Sequence, residues 1–162
     1  MQRLSEILRE VLQKRKGKQL RFAGRLVRKR GGGRQTILKE LGEMRRELKA
    51  RYGNAHVIGV IDYERGCERR VIDEHCKLQL VEKLGKSIRV LVGVCKVKVG
   101  GGNEEVVVVV FDPRPEEIVV RITGNPKLYE KLKSYEYAER IVGRKEFRPL
   151  LLKVADRVVD IL

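Results

Sequence analysis

The chain has 162 residues and a formal net charge of +15, from 37 Lys/Arg against 22 Asp/Glu. That length can bury a core without a disulfide or metal staple, and no apolar run approaches a membrane span. Charged residues at 36%, aromatics at 5%, no Trp and few Asn or Gln fit a hyperthermophile's cytosolic protein, and residues 1–20 hold no signal-peptide apolar stretch, so a cytoplasmic location without a membrane partner is expected.

Leu4, Ile7, Leu8, Val11 and Leu12 recur at helical spacing, which predicts an amphipathic helix over 2–16 that stops near Gly17. Its polar side ends in Lys14, Arg15 and Lys16, where cations suit the negative end of the helix dipole. Residues 19–27 alternate and predict a strand, with Leu20, Phe22 and Leu26 on one face and Arg21 and Arg25 on the other.

Charge is concentrated in this half. Residues 1–51 hold 17 Lys/Arg against 5 Glu and no Asp, a balance of +12, whereas residues 52–162 hold 20 against 17. Lys14, Arg15, Lys16, Lys18, Arg21, Arg25, Arg28, Lys29, Arg30 and Arg34 fall within 21 residues that contain no acid. A solvated face is the ordinary outcome for a charge run, but ten like charges this close repel one another unless an anion neutralises them. A polyphosphate backbone is the natural anion, so the segment is expected to bind nucleic acid, DNA or RNA.

Gly31, Gly32 and Gly33 then lead into a helix whose buried side carries Ile37, Leu41, Met44 and Leu48. Glycines before a helix start leave backbone N–H groups open to a phosphate, and the flanking arginines would complete the cradle. The Gly-Lys-Ser/Thr ending of a Walker loop is missing, and a plain surface loop has the same composition.

The apolar run at 56–62 does not alternate, which predicts a strand buried on both faces in the middle of an α/β sheet. It ends at Asp62 and Glu64, whose i, i+2 spacing puts both carboxylates on one face of an extended chain, where they could hold Mg²⁺. Asp62 also suits a turn that merely ends the strand. Cys67, Cys76 and Cys95 show no Cys-x-x-Cys spacing, so they are expected to be small core residues. With two histidines in the chain, a His/Cys metal site lacks ligands.

Val71, Ile72, Cys76, Leu80 and Leu84 share a stripe that predicts a helix over 68–84 closed by Gly85. A Val/Ile-rich strand over 87–99 would complete a right-handed β-α-β unit parallel to 56–62. A glycine turn and five valines make 105–111 its hairpin partner, which would carry Asp112 to the opposite end of the sheet from Asp62. A short strand at 118–122 and helices at about 126–142 and 147–161 finish the chain. The expected fold is a single α/β domain over 1–162. It has a mixed central sheet of about 4–5 strands, a β-α-β unit and a hairpin, flanked by N-terminal helices and the C-terminal helices of 126–162.

The order basic strand, Gly-Gly-Gly-Arg, helix, Val-Ile-Gly-Val-Ile-Asp62-x-Glu64, helix, strand, then Phe111-Asp112-Pro113 with Glu116-Glu117, resembles archaeal and bacterial Toprim-like proteins over residues 19–120. The resemblance implies an α/β fold and Mg²⁺-dependent phosphoryl transfer on nucleic acid, with Asp62 and Glu64 at the metal-holding Asp-x-Asp positions. Glu64 departs from the second Asp of that pattern, and the family's first-strand Glu-Gly pair has no counterpart before residue 56. The expected function is therefore nucleic-acid binding through the basic N-terminal part, with a Toprim-like nuclease as the alternative.

Overall fold

The computed structural model describes residues 2–17, 34–62, 67–132, 140–141 and 143–162. Its elements are α1 (Gln2–Lys16), α2 (Arg34–Tyr52), β1 (Ile58–Asp62), α3 (Cys67–His75), β2 (Cys76–Leu84), β3 (Ile88–Val99), β4 (Gly102–Asp112), α4 (Pro115–Thr123), α5 (Leu128–Lys131) and α6 (Arg148–Ile161). The strands form one mixed sheet in the order β1-β4-β3-β2. The α/β class, the single domain, the hairpin and the terminal helices are as expected, while the strand expected over 19–27 lies outside the described residues.

β4 sits inside the sheet and its valines are buried on both faces. Val107, Val109 and Phe111 join Val90 and Val92 against α1, α4 and α6. Val106, Val108 and Val110 join Leu91, Cys95, Val97 and Val99 against Leu38 of α2 and Ile72 of α3. An unbroken apolar strand needs helices on both sides, and this three-layer arrangement supplies them.

Several expectations are corrected. Among the described residues the strand of this run, Ile58–Asp62, lies at the edge of the sheet, with β4 as its neighbour and Val60 at 36% exposure. Apolar composition reports that faces are covered, and it carries no information about whether both edges are paired. The helix expected over 68–84 stops at His75, and residues 76–84 pair antiparallel with β3 as β2. Lys77-Leu78-Gln79-Leu80 alternates as well as it spirals, so the ladder to β3 overrides the local period. β1 finds its parallel neighbour in β4 instead of in the strand after α3, so the expected β-α-β closure onto 87–99 does not form.

Residues 118–122 are helical too. Pro115 opens α4, Glu116 and Glu117 occupy its first turn, and Gly124 closes it in the left-handed region at φ 67° with its N–H on the Val120 carbonyl. Both ends carry the usual helix signals, and they outweigh the β-branched residues between them. The helix expected over about 126–142 is described in part: the Lys127 N–H donates to Asn125 Oδ1 at 3.1 Å in an Asx turn, the four residues of α5 follow, Arg140 and Ile141 are helical, and residues 133–139 and 142 lie outside the described residues.

The cysteines are not merely packed. Cys76 and Cys95 face each other in the β2–β3 ladder and form a disulfide. Two residues along β3 the strands come so close that a Cβ at Gly93 would lie 1.9 Å from the Lys77 carbonyl oxygen. Only hydrogen fits there. Gly93→Ala is expected to lower the unfolding free energy by about 1–3 kcal/mol, or to prevent folding, because backbone would have to move. Equilibrium denaturation reads this directly, and unchanged stability would contradict the packing described.

Candidate nucleic-acid interface and acidic sheet end

The basic segment begins on α1 and ends on α2. Lys14 and Arg15 lie in the last turn of α1, and both have acidic partners. Lys14 Nζ lies 3.0 Å from Glu10 Oε1, one turn earlier. Arg15 Nη1 donates to the Asp156 carbonyl at 3.0 Å and lies 3.4 Å from its carboxylate, and Arg15 Nη2 pairs with Asp160. The expectation that these two cations lack partners is therefore corrected. The acids come from one turn upstream and from the far end of the chain.

These contacts tie α1 to α6. Glu10 also accepts from Arg148 Nη2 at 3.0 and 2.9 Å, so one carboxylate serves both helices. Its pKa is held below the ordinary value, first by the Arg148 hydrogen bond and then by Lys14. The Arg15 pKa is raised, chiefly through its hydrogen bond to Asp160.

Lys16 is the last residue of α1 and Arg34 the first of α2, with both side chains outside the described residues. Lys18, Arg21, Arg25, Arg28, Lys29, Arg30 and the phosphate-loop glycines Gly31, Gly32 and Gly33 lie outside the described residues as well. The helix expected after the glycines starts at Arg34 and has no acidic residue in its first turn. A helix start usually gathers Asp or Glu to meet its positive end, and α2 brings none.

The second cluster sits where β1 and β4 end together. Their parallel register pairs Asp62 with Phe111, so Asp62 and Asp112 occupy the same end of the sheet. The expected separation assumed that β1 runs parallel to β3, whereas it runs antiparallel to it. The Asp62 side chain and the whole of Glu64 lie outside the described residues.

Asp112 is 7% exposed and its charge is met by two arginines. Arg89 donates to Asp112 Oδ2 through Nε at 2.9 Å and Nη2 at 2.7 Å, and Arg69 Nη2 approaches the same oxygen at 3.3 Å. β3 and β4 place Arg89 directly opposite Asp112, while α3 brings Arg69. The peptide after Asp112 is cis, and Pro115 then starts α4, where Glu116 Oε2 is buried without a hydrogen-bond partner among the described residues. Neither arginine stands out in the sequence. The signal was present all the same, because a hairpin centred between Gly100 and Gly101 sets Arg89 across from Asp112.

Comparison with protein-family models, curated proteins and solved structures returns no match. The chemistry must be read from the residues themselves. Among the described residues no three His, Cys, Asp or Glu side chains gather as metal ligands, and no helix is long and apolar enough to cross a membrane. Asp112 fits poorly as a cation ligand, because its Oδ2 already accepts from two guanidinium groups.

The Glu10 contacts set a pH dependence. A carboxylate whose pKa is depressed by folding stabilises the fold above its unfolded pKa, and that contribution is lost as pH falls through the lower folded value. Wild type is therefore expected to lose melting temperature through the acid range more steeply than Glu10→Gln. Parallel melting-temperature profiles for the two proteins would show that the contacts add nothing.

Proposed function

We propose that this chain binds nucleic acid through contacts between its basic N-terminal part and the phosphate backbone. The observation that carries the reading is the acid-free run of ten cations from Lys14 to Arg34. Lys14 and Arg15 serve the α1–α6 contact, so phosphate contact is assigned to Lys16, Lys18, Arg21, Arg25, Arg28, Lys29, Arg30 and Arg34. Gly31, Gly32 and Gly33 would let a phosphate approach the α2 start, whose first turn brings no competing carboxylate. Backbone contacts of this kind position a ligand without reading its sequence, so DNA and RNA are both candidate ligands.

A second reading, Mg²⁺-dependent phosphoryl transfer by a Toprim-like nuclease, is favoured by one observation. The β1–β4 register puts Asp62 at the carboxyl end of a parallel pair, the usual place for function in an α/β sheet. With Asp112 engaged by arginines, Asp62 and Glu64 are the residues that would hold the ion. When bound, Mg²⁺ supplies Lewis-acid stabilisation and a template for the phosphate.

Binding is expected to be sequence-tolerant and to weaken steeply with salt. If about six to eight cations engage phosphates, affinity should fall by about 10³–10⁴ between about 50 and 200 mM salt. Changing Arg28, Lys29, Arg30 and Arg34 together to Ala should flatten that dependence. A salt-insensitive complex, or full binding by the quadruple variant, would contradict the reading.

The metal reading is separated by melting in Mg²⁺ at fixed ionic strength. Wild type should gain melting temperature on adding the ion, and Asp62→Asn should not, since paired carboxylates are relieved by a cation. Equal responses would remove the metal site and leave the binding reading intact.

A further inference from the structure

β3 and β4 outrun their neighbours. β1 pairs with β4 only from Val107 onward and β2 pairs with β3 only as far as Cys95, so residues 96–99 and 102–105 project as a two-stranded ribbon. One side of the ribbon is closed, because Val97 and Val99 pack against Gly42 of α2. Among the described residues the other side is open, and Lys96, Lys98, Asn103 and Glu105 stand exposed on it. Lys77, opposite Val94, is exposed on the same side. That side continues the face covered by α1 and α6, since Val90 and Val92 lie at two-residue steps earlier on β3.

Two packing directions bring the basic segment to the same place. α6 runs against β2, with Lys153 bonded to Glu82 and Arg157 to Gln79, so its C-terminal end points toward the ribbon. α1 runs alongside α6 in the same direction, because Glu10 meets Arg148 while Arg15 meets Asp156 and Asp160. The end of α1 therefore points toward the ribbon too, and the chain enters its acid-free run of cations there.

The charges on the open side are uncompensated. The side chains of Lys77, Lys96 and Lys98 make no ion pair or hydrogen bond among the described residues. Glu105, opposite Lys96, is the acid on these strands, and three lysines against one glutamate leave the side positive. Asp156 and Asp160 at the end of α6 are already engaged by Arg15. Lysines on exposed strands guard against edge pairing, a use that accounts for charge but not for its sign. Lysines gathered on the side toward which a run of ten cations emerges repel that run unless an anion lies between them.

We infer that Lys77, Lys96 and Lys98 form a second contact for the phosphate backbone of the nucleic acid, which reaches from the basic run onto the open side of the ribbon. The inference rests on the nucleic-acid reading and adds a footprint on the sheet to it. Lys96 and Lys98 are about 7 Å apart along the strand, so their flexible ammonium groups can meet separate phosphates of one backbone.

The test follows binding of a duplex DNA and of a single-stranded RNA of equal length by fluorescence anisotropy across a salt series. Changing Lys77, Lys96 and Lys98 together to Gln should lower the slope of log affinity against log salt by about 2–3, because each lost phosphate contact removes about 0.7–0.9. Lys98→Gln alone should remove one such step, and the same three lysines changed to Arg should keep the wild-type slope. Lys83, Lys86 and Lys127 changed to Gln take the same charge from the opposite end of the sheet and should leave the slope near the wild-type value. A wild-type slope in the Lys77/Lys96/Lys98 Gln variant would overturn the inference, as would an equal fall in both triple Gln variants, which reports net charge alone. A variant that keeps its nucleic-acid slope but loses binding to poly-glutamate would also overturn it and assign the face to an acidic protein. Failure of the basic-segment reading shows separately, as an unchanged slope when Arg28, Lys29, Arg30 and Arg34 are changed to Ala.

Discussion

The sheet depends on β4, which pairs with β3 on one edge and β1 on the other while its two faces carry the two halves of the core. Val106 to Val110 are each 6% exposed or less. Burying one such side chain contributes about 1.5–3 kcal/mol, so a polar residue anywhere in this run would cost a large part of a domain's net stability. The same ladder has a chemical consequence. By running parallel to β1 it draws Asp62 to the end where Asp112 meets Arg89 and Arg69, and it fixes that end as the place where charged groups collect.

Charge is handled differently at the two ends of the chain. α6 presents Asp156 and Asp160 to Arg15 and offers Arg148 to Glu10, so part of the N-terminal charge is absorbed as a fastening between α1 and α6. Such partly exposed pairs are worth little individually, and several that share partners are needed to matter. The functional case rests on the cations that follow, Lys16 to Arg34, which the sequence supplies without nearby acids. The sheet end works in the opposite sense, since its buried carboxylate organises two arginines.

Where local signals and tertiary demands agree, the fold was legible. α1, α2 and α6 show clean helical periods, and the glycine turn with its five valines announced the β3–β4 hairpin. Where two periods fit equally well, as in residues 76–84, the chain followed the strand that β3 was waiting to pair. At residues 118–122 the β-branched Ile118, Val119 and Val120 favour a strand locally, but Pro115 and Gly124 set the ends of a helix and prevail. The site was half legible. Asp62 and the basic run could be picked from residue type and spacing, but the partners of Lys14 and Arg15 and the Asp112 cluster arise from pairings that only the assembled sheet and the α1–α6 contact create.

The central claim is that residues 16–34 carry the nucleic-acid contact. Backbone hydrogen exchange followed with and without a saturating oligonucleotide tests it most directly. The account predicts slowed exchange in peptides spanning 18–34, and little change in α6, whose acids already face α1. Slowed exchange confined to other elements, with 18–34 unaffected, would contradict it.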